Sequence, residues 1–172
     1  MSDRLAPLFA TATPPDLRVT QRPGCATVAE VDALAAKALA GVDGERAALI
    51  TSLAHCWHDH FDACHELCQA REGQQDADYV HAILHRREGD VSNARYWFRR
   101  VGDHPCFAAV GAAAQRLGLE ALCEGGSAID AGAFIAASVK PAGREAALID
   151  LQAEEIRGFA RFLLEASRRP RS

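Results

Sequence analysis

The chain has 172 residues, of which 49% are hydrophobic and 24% are charged, so it is large enough to bury the core of one ordinary domain. Its net charge of −4 and its pI near 6.0 argue against a general nucleic-acid binder, which needs a basic surface. No charged leader with an apolar core opens the sequence, and no apolar run approaches the roughly 20 residues of a membrane span. We therefore expect a cytoplasmic protein with no nucleic-acid or membrane partner.

Alanine contributes 35 residues, whereas aromatic residues make up only 6% of the chain. Alanine has the lowest free-energy cost in a helix and adds little to a half-buried sheet, so the composition predicts an all-α fold. The six cysteines include no C-x-x-C pair, and we expect them to remain reduced. Cys64 and Cys68, which share one helical face, are predicted to fill the core.

The first 24 residues are predicted to form an irregular N-terminal arm, because four prolines and a glycine interrupt them. Residues 25–172 then form a single helical domain. Its first helix is predicted to begin at a capping box between Thr27 and Glu30 and to end near Gly41. Three apolar residues are expected to pack the arm on this domain: Leu5, Leu8 and Phe9.

Apolar residues keep a helical spacing over residues 45–70, and one long helix is the simplest interpretation. A self-repeat at an offset of 31 residues favours two helices instead, since residues 59–70 align with residues 90–101. An aspartate begins each aligned segment, where its carboxylate is suited to cap a helix. We therefore predict a break at His58-Asp59 that corresponds to a second break at Gly89-Asp90.

The aligned segments resemble the tetratricopeptide repeat, in which two helices pack through small and large residues around a Gly-Asp turn. The likeness rests on Ala82, Gly89, Asp90, Val91, Ala94, Phe98, Val101 and Pro105. It covers residues 45–105 and implies a right-handed stack of antiparallel helical hairpins. The chain departs from the family in its offset, which is 31 rather than about 34, and in carrying His81 and His85 at apolar positions. The string from His81 to Pro105 also resembles a group of microbial proteins, with which we associate no activity.

Three further helices are predicted beyond the repeat, over residues 105–117, 130–139 and 144–167. The last of them is the longest and carries an apolar stripe along one face. We expect this stripe to cover the exposed end of the stack, as terminal caps do in helical repeats. The stripe consists of Leu148, Leu151, Ile156, Phe159 and Leu163.

Six of the seven histidines lie within 31 residues, on two predicted helices that flank a polar loop. If these helices pack antiparallel across the loop, His65 faces His81, and Asp62 faces His85. His58 then lies at the rim of the group. The sequence therefore predicts a cluster of imidazoles between two helices.

Three imidazoles and a carboxylate are suited to bind a divalent metal ion, namely zinc, iron(II) or manganese. The predicted ligands are His65, His81, His85 and Asp62, and the sequence indicates no other cofactor. The alternative is a polar network that specifies helix packing and binds no metal. Ala82 occupies the position at which the metalloprotease motif carries its glutamate, so that motif is incomplete.

A second group of residues is predicted to contact an anion or a partner: Arg86, Arg99, Arg100 and Tyr96. The alternative for the arginines is ion pairing with nearby acidic residues. The leading hypothesis for function is a helical-repeat module that binds a protein or a peptide. A metal-dependent enzyme or metal-binding protein is the alternative. Two repeats are few for a free-standing array, and a homodimer formed through an exposed helix face would extend it.

Overall fold

The computed structural model describes residues 4–167, and α-helices make up most of this part of the chain, so the predicted all-α class is confirmed. The helices are α1 (Val28–Ala38), α2 (Gly44–Trp57), α3 (Phe61–Gln69), α4 (Gln75–Glu88), α5 (Val91–Val101), α6 (Cys106–Arg116), α7 (Ala131–Val139) and α8 (Glu145–Ala166). Between α6 and α7, β1 (Cys123–Glu124) pairs antiparallel with β2 (Ala128–Ile129). Residues 1–3 and 168–172, which belong to the predicted arm and domain, lie outside the described residues.

The segment over residues 45–70 forms two helices, as the self-repeat predicts. The helices α2 and α3 contact each other as one pair, and α4 and α5 form a second pair. The helices α2 and α4 both have 14 residues. The first residue of α4 lies 31 positions after the first residue of α2, and the same offset separates their last residues. The two helix pairs therefore follow the offset that the sequence alignment indicates.

The turns within the two pairs differ in chemistry. In the second pair, Gly89 takes the left-handed conformation with φ 76°, and Asp90 caps α5 by accepting a hydrogen bond from the backbone of Asn93. In the first pair, Asp59 is the left-handed residue, with φ 66°. The expectation that Asp59 caps the next helix is wrong, because its carboxylate binds arginines in the core and α3 begins without a side-chain cap.

The N-terminal arm is part of the core. Its three predicted contact residues, Leu5, Leu8 and Phe9, are at most 1% exposed. The Phe9 ring meets the Trp57 ring edge-on at a centroid distance of 5.6 Å. The Trp57 indole N–H donates a hydrogen bond of 2.8 Å to the Thr11 hydroxyl. The predicted capping box between Thr27 and Glu30 is confirmed at the start of α1.

The long helix α8 forms where it is predicted. It contacts both α2 and α6, which lie far apart in the sequence. Its predicted stripe from Leu148 to Leu163 is buried, and the Gln152 amide donates hydrogen bonds to the Pro15 and Asp16 carbonyls of the arm. The helix therefore closes the core from the side. Over residues 4–167, neither α8 nor any other helix combines the length and the apolar character needed to cross a membrane.

Candidate functional site

The structure brings together three histidines from two helices, which we call the histidine cluster: His65 on α3, and His81 and His85 on α4. The His65 ring lies 4.9 Å from the His81 ring and 5.8 Å from the His85 ring, measured between centroids. The His81 and His85 rings are 5.9 Å apart and nearly parallel. The facing of His65 and His81 that the antiparallel packing predicts is thus present.

His81 is fully buried, and among the described residues neither of its ring nitrogens finds a hydrogen-bond partner. The ring stacks on the Trp97 indole at a centroid distance of 4.1 Å. Buried polar atoms are nearly always paired, and each unpaired one costs about 1–3 kcal/mol. Packing against Trp97 explains the position of this imidazole but not its unpaired nitrogens.

His85 lies at the edge of the cluster, with 12% of its side chain exposed. Its Nδ1 is 2.8 Å from a carboxylate oxygen of Glu88, one turn further along α4. Because a carboxylate oxygen accepts hydrogen bonds, this contact favours the tautomer that carries the proton on Nδ1. The Nε2 atom of His85 then has a free lone pair.

Burial lowers the pKa of His81, and it lowers the pKa of His65 as well. Several charges act on these two rings. For His81, the carboxylates of Asp78 and Glu72 oppose the effect of burial, and the Arg100 guanidinium adds to it. For His65, the other two histidines of the cluster lower the pKa further. Both imidazoles are therefore neutral at pH 7 and are available as acceptors or ligands.

The other two predicted metal ligands are placed differently. Asp62 is exposed on α3 and acts on His65 only as a nearby charge. His58 does not lie at the rim of the cluster: it ends α2 on the side of the arm, where its Nδ1 accepts a hydrogen bond of 3.0 Å from the Ala26 backbone. The prediction for His58 fails because the break after α2 turns this side chain toward the arm.

The histidine cluster is not arranged around a common point. Among the described residues, no group of three or more histidine, cysteine, aspartate or glutamate side chains is placed to hold a metal ion. The rings of His81 and His85 are stacked within 5° of parallel, an orientation that sets their planes face to face. In this conformation the three imidazoles pack against one another as aromatic rings.

The predicted contact residues on α4 and α5 separate into buried and exposed ones. Arg86 is 2% exposed and forms an ion pair with Glu155 of α8, while its guanidinium lies 4.0 Å from the centre of the Phe134 ring. Its guanidinium is thus already paired inside the protein, as the ion-pairing alternative expects, and its predicted contact with an anion or a partner stays a prediction. Arg100 is partly exposed and donates hydrogen bonds to Asp78 at 3.0 Å and to the Tyr96 hydroxyl at 3.1 Å.

A groove of about 490 Å³ runs between α5 and α7, and we call it the α5–α7 groove. Four largely buried apolar residues contribute to its lining: Phe98, Phe107, Ile129 and Ile135. Arg95 and Arg99 line it as exposed residues, and neither has an ion-pair or hydrogen-bond partner within residues 4–167. Our sequence interpretation includes Arg99 but misses Arg95. The spacing of four residues between Arg95 and Arg99 is the sequence signal that could have identified Arg95, since residues four apart share one face of a helix.

We compared the chain with protein-family models, with curated proteins and with solved structures, and none of these comparisons found a match.

Proposed function

We propose that this protein is an interaction module that binds an acidic segment of a partner protein in the α5–α7 groove. The observation that carries the proposal is the pair of exposed arginines, Arg95 and Arg99, which border an apolar lining and have no partner within the described part of the chain. Guanidinium groups bind carboxylates through two parallel hydrogen bonds, so the pair is suited to recognise aspartate or glutamate.

The fold supports this proposal through its two helix pairs. We propose that α2–α3 and α4–α5 are degenerate tetratricopeptide-like hairpins, which present the outer face of α5 to a partner. Their common offset of 31 residues and the left-handed turn residue in each pair support the relationship. Helical hairpin arrays use such faces to bind extended segments of other proteins.

The lining of the groove limits the kind of segment that fits. Its volume is within the range of ligand pockets, and its apolar residues are suited to receive a large apolar side chain. Asp103 and Asp130 line it too, and Asp130 already accepts a hydrogen bond from the backbone of Ala133. A uniformly acidic segment would be repelled by these two carboxylates. The preferred segment therefore combines one or two acidic residues with an apolar residue.

A selection experiment tests the proposal without knowledge of the natural partner. Random 12-residue peptides displayed on phage are selected on the full chain, and the R95E/R99E variant serves for counter-selection. We expect the enriched peptides to carry an acidic residue beside an apolar one. Peptides without acidic residues, or peptides that bind both proteins equally, would contradict the proposed site.

Fluorescence anisotropy with a selected peptide then measures the contribution of the arginine pair. We expect the R95E/R99E variant to bind about tenfold more weakly, because it loses two charge pairs and introduces repulsion. Arg161→Glu is the matched control, since Arg161 is an exposed arginine on α8 and lies outside the groove.

The homodimer that we expect from the sequence stays a prediction. Sedimentation equilibrium at several protein concentrations tests it.

A further inference from the structure

We propose that His65, His81 and His85 form a binding site for a divalent transition-metal ion, with Zn²⁺ as the probe. This site is separate from the α5–α7 groove and does not depend on the proposed function. It uses three of the side chains predicted from the sequence and excludes Asp62, which is exposed, and His58, which lies at the arm.

The spacing of the three rings fits one shared ion. In zinc sites the Zn–N distance is about 2.0–2.1 Å, so a tetrahedral ion holds the centroids of two bound imidazoles about 5 Å apart. The three centroid distances in the histidine cluster are 4.9, 5.8 and 5.9 Å. The rings therefore need to turn, but the helices that carry them do not need to separate.

The unpaired nitrogens of His81 are the first observation that points to a ligand. This side chain is fully buried, and neither nitrogen has a hydrogen-bond partner in the described part of the chain. A neutral imidazole in such surroundings lacks a proton on one nitrogen, and a metal ion is a strong partner for that atom. Binding of an ion would satisfy one of the two unpaired atoms.

The contact between Glu88 and His85 is the second observation. Histidines that bind metals commonly donate their other ring N–H to a carboxylate, which fixes the tautomer and raises the basicity of the binding nitrogen. His85 has this arrangement, because its Nδ1 is 2.8 Å from the Glu88 carboxylate. Its Nε2 is then the atom available for the ion.

The charges near the histidine cluster favour a cation. The carboxylates that act on the pKa of His65 or His81 are those of Asp62, Glu72, Asp78 and Glu88. Arg100 opposes them, and two of these carboxylates, Glu72 and Asp78, pair with it. The sum of these charges is negative, which raises the local concentration of divalent cations.

Ring rotation is the step that the proposal requires, because the nitrogens do not converge in the present conformation. His65 and His85 are partly exposed, whereas the buried His81 ring is stacked on Trp97. The proposal requires the two outer rings to turn toward His81, with the Glu88 carboxylate following Nδ1 of His85, so that one nitrogen of each ring meets the ion. A solvent molecule then occupies the remaining tetrahedral position, as it does in zinc sites with three protein ligands.

Calorimetric titration of the untagged full chain with Zn²⁺, together with the visible absorption of Co²⁺ added in its place, tests the site. We expect about one equivalent of metal and the absorption bands of a tetrahedral Co²⁺ ion with nitrogen ligands. His65→Ala and His85→Ala should each abolish both signals. His60→Ala is the matched control, because His60 is a partly exposed histidine outside the cluster, and it should bind like the wild type.

Glu88→Gln separates a metal site from a general affinity of histidines for metals. Loss of the carboxylate beside His85 should weaken binding by roughly 10–100-fold and leave the stoichiometry unchanged. Histidine ¹⁵N NMR of the wild type provides a readout that does not depend on the folding of any variant. Shifts confined to His65, His81 and His85 on addition of Zn²⁺ support the proposal. Absence of binding at millimolar Zn²⁺, or shifts at other histidines only, would overturn it.

Discussion

The carboxylate of Asp59 accepts a hydrogen bond of 2.8 Å from the guanidinium of Arg87, and both side chains are at most 1% exposed. The same carboxylate accepts a second one of 2.9 Å from Arg22. Burial acts to raise the pKa of Asp59, but the hydrogen bonds from the two arginines outweigh it and lower the pKa. One carboxylate therefore joins the N-terminal arm, the turn after α2 and the end of α4.

We predict that Asp59→Asn strongly destabilises the protein. Asparagine tolerates the left-handed backbone at this position, so the substitution removes mainly the charge. Two buried arginines then lack a counter-ion, and breaking such a pair costs about 3–5 kcal/mol. Urea unfolding measures the loss. Asp90→Asn is the control, because Asp90 is the corresponding residue of the second turn and asparagine caps helices equally well. A similar loss in both variants would contradict the role of the buried charge pairs at Asp59.

Glu154 and Glu155 are predicted to differ sharply although they are adjacent. Glu155 is 2% exposed and binds Arg86 and the Tyr79 hydroxyl, whereas Glu154 pairs with Arg116 at the surface. We expect Glu155→Gln to lower the free energy of unfolding by about 3–5 kcal/mol, since Arg86 would be left buried without a counter-ion. Glu154→Gln should change it by less than about 1 kcal/mol. Equal effects in thermal unfolding would contradict the burial of the Glu155 pair.

Two helical glycines are predicted to respond oppositely to alanine. A Cβ atom on Gly111 of α6 would lie 2.1 Å from the backbone oxygen of Ser127, so Gly111→Ala must displace the strand pair. We expect a loss of about 1–3 kcal/mol. A Cβ atom on Gly158 of α8 would meet no atom of the described residues within 4 Å, and Gly158→Ala should gain about 0.5–1 kcal/mol from helix propensity. The midpoints of chemical unfolding report both changes, and a stable Gly111→Ala protein would refute the close approach.

Stability is predicted to decline in mildly acidic solution. Burial lowers the pKa of His55, although the Asp32 carboxylate opposes it, and burial also lowers the pKa of His58. Below the unfolded-state pKa of about 6.5, the unfolded chain binds more protons than the folded one, so stability falls as the pH drops through that value. The pKa values of His65 and His81 are lowered too, so these residues also reduce stability as the pH falls. Comparing the pH dependence of stability in the wild type and in the His55→Gln/His58→Gln variant therefore isolates the contribution of His55 and His58. We expect a smaller decline from pH 7.5 to pH 5.5 in the variant, and an unchanged decline would contradict it.

The sequence by itself determined the helices and much of the histidine cluster. The predicted helices over residues 105–117 and 130–139 match α6 and α7 within one residue at each end, because caps, glycines and prolines act on their immediate neighbours. His65 and His81 meet because the two helices that carry them are joined by a short loop. Helical periodicity then sets which residues face each other.

Only the tertiary structure decided which charged residues are buried and where α8 lies. Arg86 and Arg87 are core residues, whereas Arg99 is exposed, although the sequence presents all three as basic residues near helix ends. Each buried arginine depends on a distant partner, namely Glu155 or Asp59. A periodic pattern records the polarity of a residue but not the position of its partner. Burial of a charge depends on that partner, so it follows from the packing of remote segments and not from local sequence.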